Sequence, residues 1–112
     1  RVLDELDSFA RAQGLSKVHA TQHGGAVINA CHALESAPGC HFKFAKPEEG
    51  GGSIWDYAAT ACLFEEAGAV VCDVHGDPLD LNRSDSTFMN HRGAVYATDR
   101  FLAAKIQQIL SH

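Results

Sequence analysis

The sequence predicts a layered α/β domain in which a sheet is sandwiched by helices, and three observations carry that expectation. Apolar residues recur at helical spacing in four stretches, and between these stretches lie short runs that alternate or are mostly apolar, as strands are. Gly and Pro punctuate the boundaries between the two patterns. The 112 residues are 46% hydrophobic and 21% charged, the balance of one globular domain spanning 1–112. Strands alternating with helices bury both faces of the sheet, which gives the layered arrangement.

Val2, Leu3, Leu6, Phe9 and Ala10 share a helical face and Gly14 follows as a stop, so residues 2–13 are expected to be an amphipathic helix. Lys17–Gln22 is a candidate strand, Gly24-Gly25 turns the chain, and Ala26–Leu34 resumes helical spacing. Pro38-Gly39 marks a further turn. His41–Lys46 then alternates polar and apolar, which directs Phe42 and Phe44 to a core. Gly50-Gly51-Gly52 breaks the chain before a helical run that begins at Ser53, contains Trp55, Ala58, Ala59, Cys62 and Leu63, and ends at Gly68. Ala69–Val74 suits a buried strand, His75-Gly76-Asp77-Pro78 a turn, and Leu79–Leu81 a further short strand. The polar segment Asn82–Arg92 is a loop. Ala94–Thr98 is the last strand, and Asp99 caps a final helix built on Leu102, Ile106, Ile109 and Leu110. The expected core is Phe42, Phe44, Trp55, Leu63, Val70, Val71 and Ile106.

Lys and Arg total 9 against 14 for Asp and Glu, a net charge of −5. That sign opposes binding to a nucleic-acid polymer or to an anionic membrane surface. No run approaches the ~18 apolar residues of a membrane span. Cys31, Cys40, Cys62 and Cys72 show neither a CxxC pair nor dense spacing, so reduced thiols and a cytoplasmic location are expected. The chain opens on Arg1, which suggests a piece of a longer protein.

Four places invite a chemical reading. His19 and His23 stand four apart, but a strand would separate them and no ligand partner lies nearby, so a zinc site is disfavoured. Asp77 and Asp80 are three apart, yet Asp-Pro after His75-Gly76 is ordinary turn chemistry. Gly24-Gly25 before a helix lets backbone N–H groups face an anion such as phosphate, although most such glycine pairs are only tight turns. Ser53-x-x-Asp56 before an apolar helical run is a capping box, and that alone accounts for Asp56. The other reading is that Asp56, held at a helix start beside the indole of Trp55, offers carboxylate oxygen to a hard cation such as Mg²⁺.

Trp55-Asp56-Tyr57-Ala58-Ala59, then Glu66-Ala67-Gly68-Ala69-Val70-Val71, then Asp73-Val74-His75-Gly76-Asp77-Pro78-Leu79 resembles the C-terminal signature of the inositol monophosphatase superfamily. Upstream, Gly24–Asn29 resembles the family's glycine-led strand-to-helix turn, and Ala94–Thr98 resembles its final strand. The resemblance covers nearly the whole chain. It implies the C-terminal half of a Mg²⁺-dependent phosphomonoesterase, with Asp56 falling on a family metal ligand. It also puts Glu49, seven positions before Asp56, where a residue that contacts a substrate hydroxyl is expected. Gly24, Gly25 and Ala26 fall on the segment that lines the family's substrate pocket, with Gly25 standing where a hydroxyl residue is frequent.

The family's N-terminal half, whose Glu-Glu segment and Asp-Pro-x-Asp-Gly-Thr/Ser motif carry the other metal ligands, has no counterpart in this chain. The isolated chain is therefore expected to be inactive. Its expected partners are a small phosphorylated substrate and either a second copy or the missing N-terminal half. The superfamily's inositol phosphates, bisphosphorylated nucleotides and sugar bisphosphates stay open as substrates; Lys43 and Lys46 lean toward a second phosphate. The alternative is a non-catalytic binding or oligomerisation module that keeps the family fold.

Overall fold

The computed structural model describes residues 2–15, 18–20, 26–45, 54–81 and 92–110. Their elements run α1 (Val2–Ala12), α2 (Ala26–Glu35), β1 (Cys40–Lys43), α3 (Ile54–Glu66), β2 (Val70–Cys72), β3 (Ala94–Ala97) and α4 (Arg100–Leu110). β3 is the central strand and pairs antiparallel with both neighbours, in the order β1-β3-β2. The register sets Tyr96 opposite His41 and Val71, and Val95 opposite Phe42 and Cys72.

Alternation along β3 divides the core in two. Ala94 and Tyr96 face α2 and α3, where they pack with Ala30, Tyr57 and Phe64. Val95 faces the other way, into a cluster with Cys72, Leu6 of α1, and Ile106 and Ile109 of α4. The sheet is thus covered on one side by α2 and α3 and on the other by α4 with α1 beside it, the expected α/β sandwich.

The glycine stops act through hydrogen bonds. Gly14 has φ +83° and Gly68 has φ +76°, conformations that side-chain-bearing residues seldom adopt. The amide of Leu15 then reaches the carbonyl of Ala10 at 2.9 Å and that of Gly14 reaches Arg11 at 3.1 Å. Ala69 to Phe64 at 2.8 Å and Gly68 to Glu65 at 3.1 Å repeat the pattern at the end of α3. Both are Schellman closures, which satisfy the last carbonyls of a helix. At the start of α4 the Asp99 carboxylate accepts the Leu102 amide at 2.8 Å, the cap expected there.

Several expectations need correction. β1 begins one residue early, at Cys40, and stops at Lys43, so Phe44 lies beyond it and is 58% exposed. The helix at 54–66 turns Tyr57, Thr60, Ala61 and Phe64 inward, and this leaves Trp55 66% and Leu63 50% exposed rather than in the core. Ile106 is buried as expected, whereas Phe42, Val70 and Val71 are half-buried. Residues 18–20 and 79–81 are not strands; the rest of the 17–22 strand expectation and the 82–91 loop lie outside the described residues. No disulfide joins the four cysteines, and no described helix is long and apolar enough to cross a membrane.

Candidate functional site

Asp56 sits in the first turn of α3, half-buried, where a carboxylate interacts favourably with the positive end of the helix dipole. What anchors this turn is the residue pair that follows it. Tyr57 is buried and lies with its ring plane at 16° to that of Tyr96, centroids 6.3 Å apart. One turn on, the Thr60 hydroxyl donates to Tyr96 Oη at 2.9 Å and lies 3.3 Å from the carbonyl oxygen of Asp56 and 3.2 Å from that of Tyr57. The Tyr96 hydroxyl in turn donates to the Tyr57 carbonyl at 3.3 Å, and Phe64 meets the Tyr96 ring edge-on at 4.9 Å. Burial raises the Tyr96 phenol above its ordinary range, so it stays a neutral donor. The indole of Trp55, expected as the brace, is directed outward.

Connectivity relates this turn to the start of α2. Each of α2 and α3 is followed by a turn of three or four residues and then a strand, and β1 and β2 both run antiparallel to β3, hence parallel to each other. Short turns after packed neighbouring helices require the two helices to run the same way, so α2 and α3 begin at one end of their layer. Ala26 opens α2 and Asp56 lies in the opening turn of α3. Gly24, Gly25 and Glu49, the other expected pocket residues, lie outside the described residues, as do Ser53 of the capping box and Lys46.

A carboxylate is the hard oxygen donor that Mg²⁺ takes, so Asp56 suits one ligand position by its chemistry. Among the described residues no group of three or more His, Cys, Asp or Glu side chains could hold a metal ion. Asp56 is therefore at most one contributor to a centre completed by other residues.

The acidic turn after β2 is built as a turn. The Asp73 carboxylate accepts the amides of His75 at 2.8 Å and Asp77 at 3.1 Å, while the Asp73 amide reaches the Asp77 carbonyl at 2.8 Å. Gly76, φ +90°, brings this turn against Gln107 of α4. Sequence reasoning missed Thr60 and Tyr96. The available signal was a threonine one turn after Asp56 on the inward stripe, and a tyrosine in an otherwise small-residue strand.

Known proteins share parts of this sequence. Human inositol monophosphatase 2 is 36% identical over 69 residues, covering 57% of this chain and 22% of that protein. A probable 3'(2'),5'-bisphosphate nucleotidase 4 of Arabidopsis thaliana is 36% identical over 53 residues, covering 47% of this chain and 15% of that protein. The 3'(2'),5'-bisphosphate nucleotidase of Schizosaccharomyces pombe is 46% identical over 44 residues, covering 39% of this chain and 12% of that protein. The matched stretch thus spans at most about a fifth of the length of these relatives. No solved structure matches significantly. The model of the inositol monophosphatase family matches residues 7–111, from the second turn of α1 to the residue after α4. With that match running through every described element, the chain belongs to the inositol monophosphatase family.

Proposed function

We propose that this chain is the C-terminal part of a Mg²⁺-dependent phosphomonoesterase that acts on a small phosphorylated polyol or nucleotide, either an inositol phosphate or a bisphosphorylated nucleotide. The observation that carries the reading is the family match over residues 7–111, with the names of the relatives, an inositol monophosphatase and bisphosphate nucleotidases, giving the two substrate classes. In this reading Asp56 supplies one carboxylate ligand and the family's N-terminal half the others. Bound Mg²⁺ would supply charge neutralisation for the phosphate and acidification of the attacking water. This chain's part is to hold Asp56 at the helix start, to offer the backbone N–H groups of Gly24, Gly25 and Ala26 to a phosphate oxygen, and to present Glu49 as an acceptor for substrate hydroxyl groups. The shared end of α2 and α3 supports such a grouping.

Asp56→Asn in the full-length protein tests it. Asparagine keeps the size and most of the helix-start preference while removing the anionic oxygen, so turnover should collapse and stability change by no more than about 1 kcal/mol. Unaltered turnover at limiting Mg²⁺ would leave Asp56 as a helix-start residue only. Glu49→Gln should lower turnover of polyol or ribose phosphates more than that of a plain aryl phosphate, whereas a bulky residue at Gly25 should impair both alike. Equal losses in the Glu49 variant reject hydroxyl recognition.

The exposed apolar side chains Trp55, Leu63 and Ile28 on α2 and α3 favour a second reading, in which the chain is a non-catalytic binding or oligomerisation module. An Asp-Pro-x-Asp-Gly-Thr/Ser motif upstream in the full reading frame separates the two: its presence favours the enzyme.

A further inference from the structure

We infer that Tyr96 and Thr60 are positioning residues for Asp56: their buried hydroxyl pair fixes the rotation of α3 on the sheet and thereby sets where the Asp56 carboxylate is delivered. The inference deepens the metal-ligand reading of Asp56 and rests on it. Its structural basis is independent of that reading, because it lies in the contact between the central strand and the first turn of the helix.

The inward stripe of α3 is apolar apart from Tyr57 and Thr60, and Tyr57 and Phe64 share a buried cluster with Ala94 and Tyr96 of the sheet, with Ile54 packed against it. Apolar packing fixes the distance between helix and sheet but tolerates small rotations, since dispersion is non-directional. A hydrogen bond is directional, and here two hydroxyls, both fully buried, meet at 2.9 Å. Rotating α3 away from β3 would take both partners, the Thr60 hydroxyl and the Tyr57 carbonyl, from the buried Tyr96 hydroxyl, a desolvation penalty that apolar packing alone would not impose. With the Thr60 proton on Tyr96, the Tyr96 hydroxyl donates its own to the Tyr57 carbonyl at 3.3 Å, which ties the restraint to the turn bearing the carboxylate.

Geometry makes the restraint consequential. Side chains reach about 5–6 Å from a helix axis, so a rotation of about 20° displaces the carboxylate by about 2 Å. Mg²⁺ accepts ligand oxygens only near 2.0–2.1 Å and in near-octahedral order, so a displacement of that size would lose the ligand. Tyr96 lies at the middle of the sheet, held between β1 and β2 through His41 and Val71, and is the more rigid partner.

The test uses the full-length protein and Mg²⁺ alone as the probe, with its affinity read by titration calorimetry and its half-saturation read from turnover. Tyr96→Phe removes one hydroxyl and keeps the ring contacts with Tyr57 and Phe64; Thr60→Val removes the other at nearly constant volume. Each should weaken Mg²⁺ binding roughly tenfold, with KM at saturating Mg²⁺ unchanged. Thr60→Ser, which retains the hydroxyl, should restore wild-type affinity. Phe64→Leu serves as the packing control: it should lower the melting temperature at least as much as Tyr96→Phe and leave Mg²⁺ affinity unmoved. If Tyr96→Phe and Thr60→Val bind Mg²⁺ as wild type does while Asp56→Asn does not, the hydroxyl pair is structural only and this inference falls alone. If Asp56→Asn also binds Mg²⁺ normally, the ligand reading falls and takes this inference with it. Should Tyr96→Phe fail to fold, the comparison of Thr60→Val with Thr60→Ser decides the matter by itself.

Discussion

Arg92 and Asp73 form an ion pair that ties the chain entering β3 to the turn leaving β2. The Asp73 carboxylate is fully buried, while the Arg92 side chain is about one third exposed. One carboxylate oxygen accepts the His75 and Asp77 amides, and the other faces the guanidinium without an aligned hydrogen bond. Arg92 also reaches Asp77 at 3.4 Å, on the exposed side. Removing the cation would leave a buried charge compensated by two amides only, so Arg92→Leu should cost about 2–3 kcal/mol, less than a fully buried pair because solvent screens part of the guanidinium. Asp77→Ala, which removes only the exposed contact, should cost under about 1 kcal/mol. Denaturant titration checks both, and similar losses would show that the buried partner has no special weight.

Gly93 and Gly14 share a left-handed backbone, φ +67° and +83°, but differ in surroundings. A Cβ on Gly93 would lie 2.5 Å from Val74 Cγ1 and 2.6 Å from the Lys43 carbonyl oxygen, whereas one on Gly14 meets nothing within 4 Å. Gly14→Ala should therefore cost about 1 kcal/mol from backbone strain alone. Gly93→Ala adds steric overlap at the junction of β1, β3 and the segment after β2, and should cost about 2–4 kcal/mol. Equal shifts in unfolding midpoint would reject the steric part.

His41 gives the fold a dependence on pH. Burial, and secondarily the charge of Lys43, lowers its pKa from the ordinary 6.5, and its Nε2 is buried with no hydrogen-bond partner. In the unfolded chain the imidazole takes up its proton first as pH falls, so the stabilisation from keeping it neutral is complete above about 6.5 and is lost as pH drops through the lower folded value. Melting temperatures between pH 7.5 and 5.5 should fall more steeply for the wild type than for His41→Gln. Parallel curves would remove His41 from the acid response.

Much of this fold was legible because its signals are local. Gly14, Gly68 and Asp99 act within one helical turn, and each ends or starts its helix as the sequence predicts. The rotation of α3 was not legible, because the helix is apolar on several sides. Trp55, Ala59 and Leu63 form one stripe at helical spacing and Tyr57, Thr60, Ala61 and Phe64 another, and only the sheet selects between them. β1 and β2 are four and three residues long, too short for alternation to set their ends. Asp56 stood out as a candidate through the Trp-Asp resemblance, whereas the hydrogen-bonded pair Thr60 and Tyr96 behind its helix did not, since the two are 36 positions apart, a distance no local pattern spans.

The rotation of α3 has a consequence for association. Trp55 and Leu63 on α3 and Ile28 on α2 are at least half exposed, on a layer whose other side is filled by the sheet, so the outer side of that layer offers large apolar side chains to a partner. The isolated chain should therefore show an apparent mass that rises with concentration in sedimentation velocity. Trp55→Lys combined with Leu63→Lys should hold it monomeric with unchanged helix content, because neither side chain supports the core. A strictly monomeric wild-type chain at high concentration would reject the argument. The same double substitution in the full-length protein distinguishes the two proposed occupants of this surface. If the face meets the protein's own N-terminal half, the variant should lose stability by several kcal/mol, since two lysines would be buried without partners, and keep its native mass. If it meets a second copy, the variant should dissociate while each subunit keeps its fold.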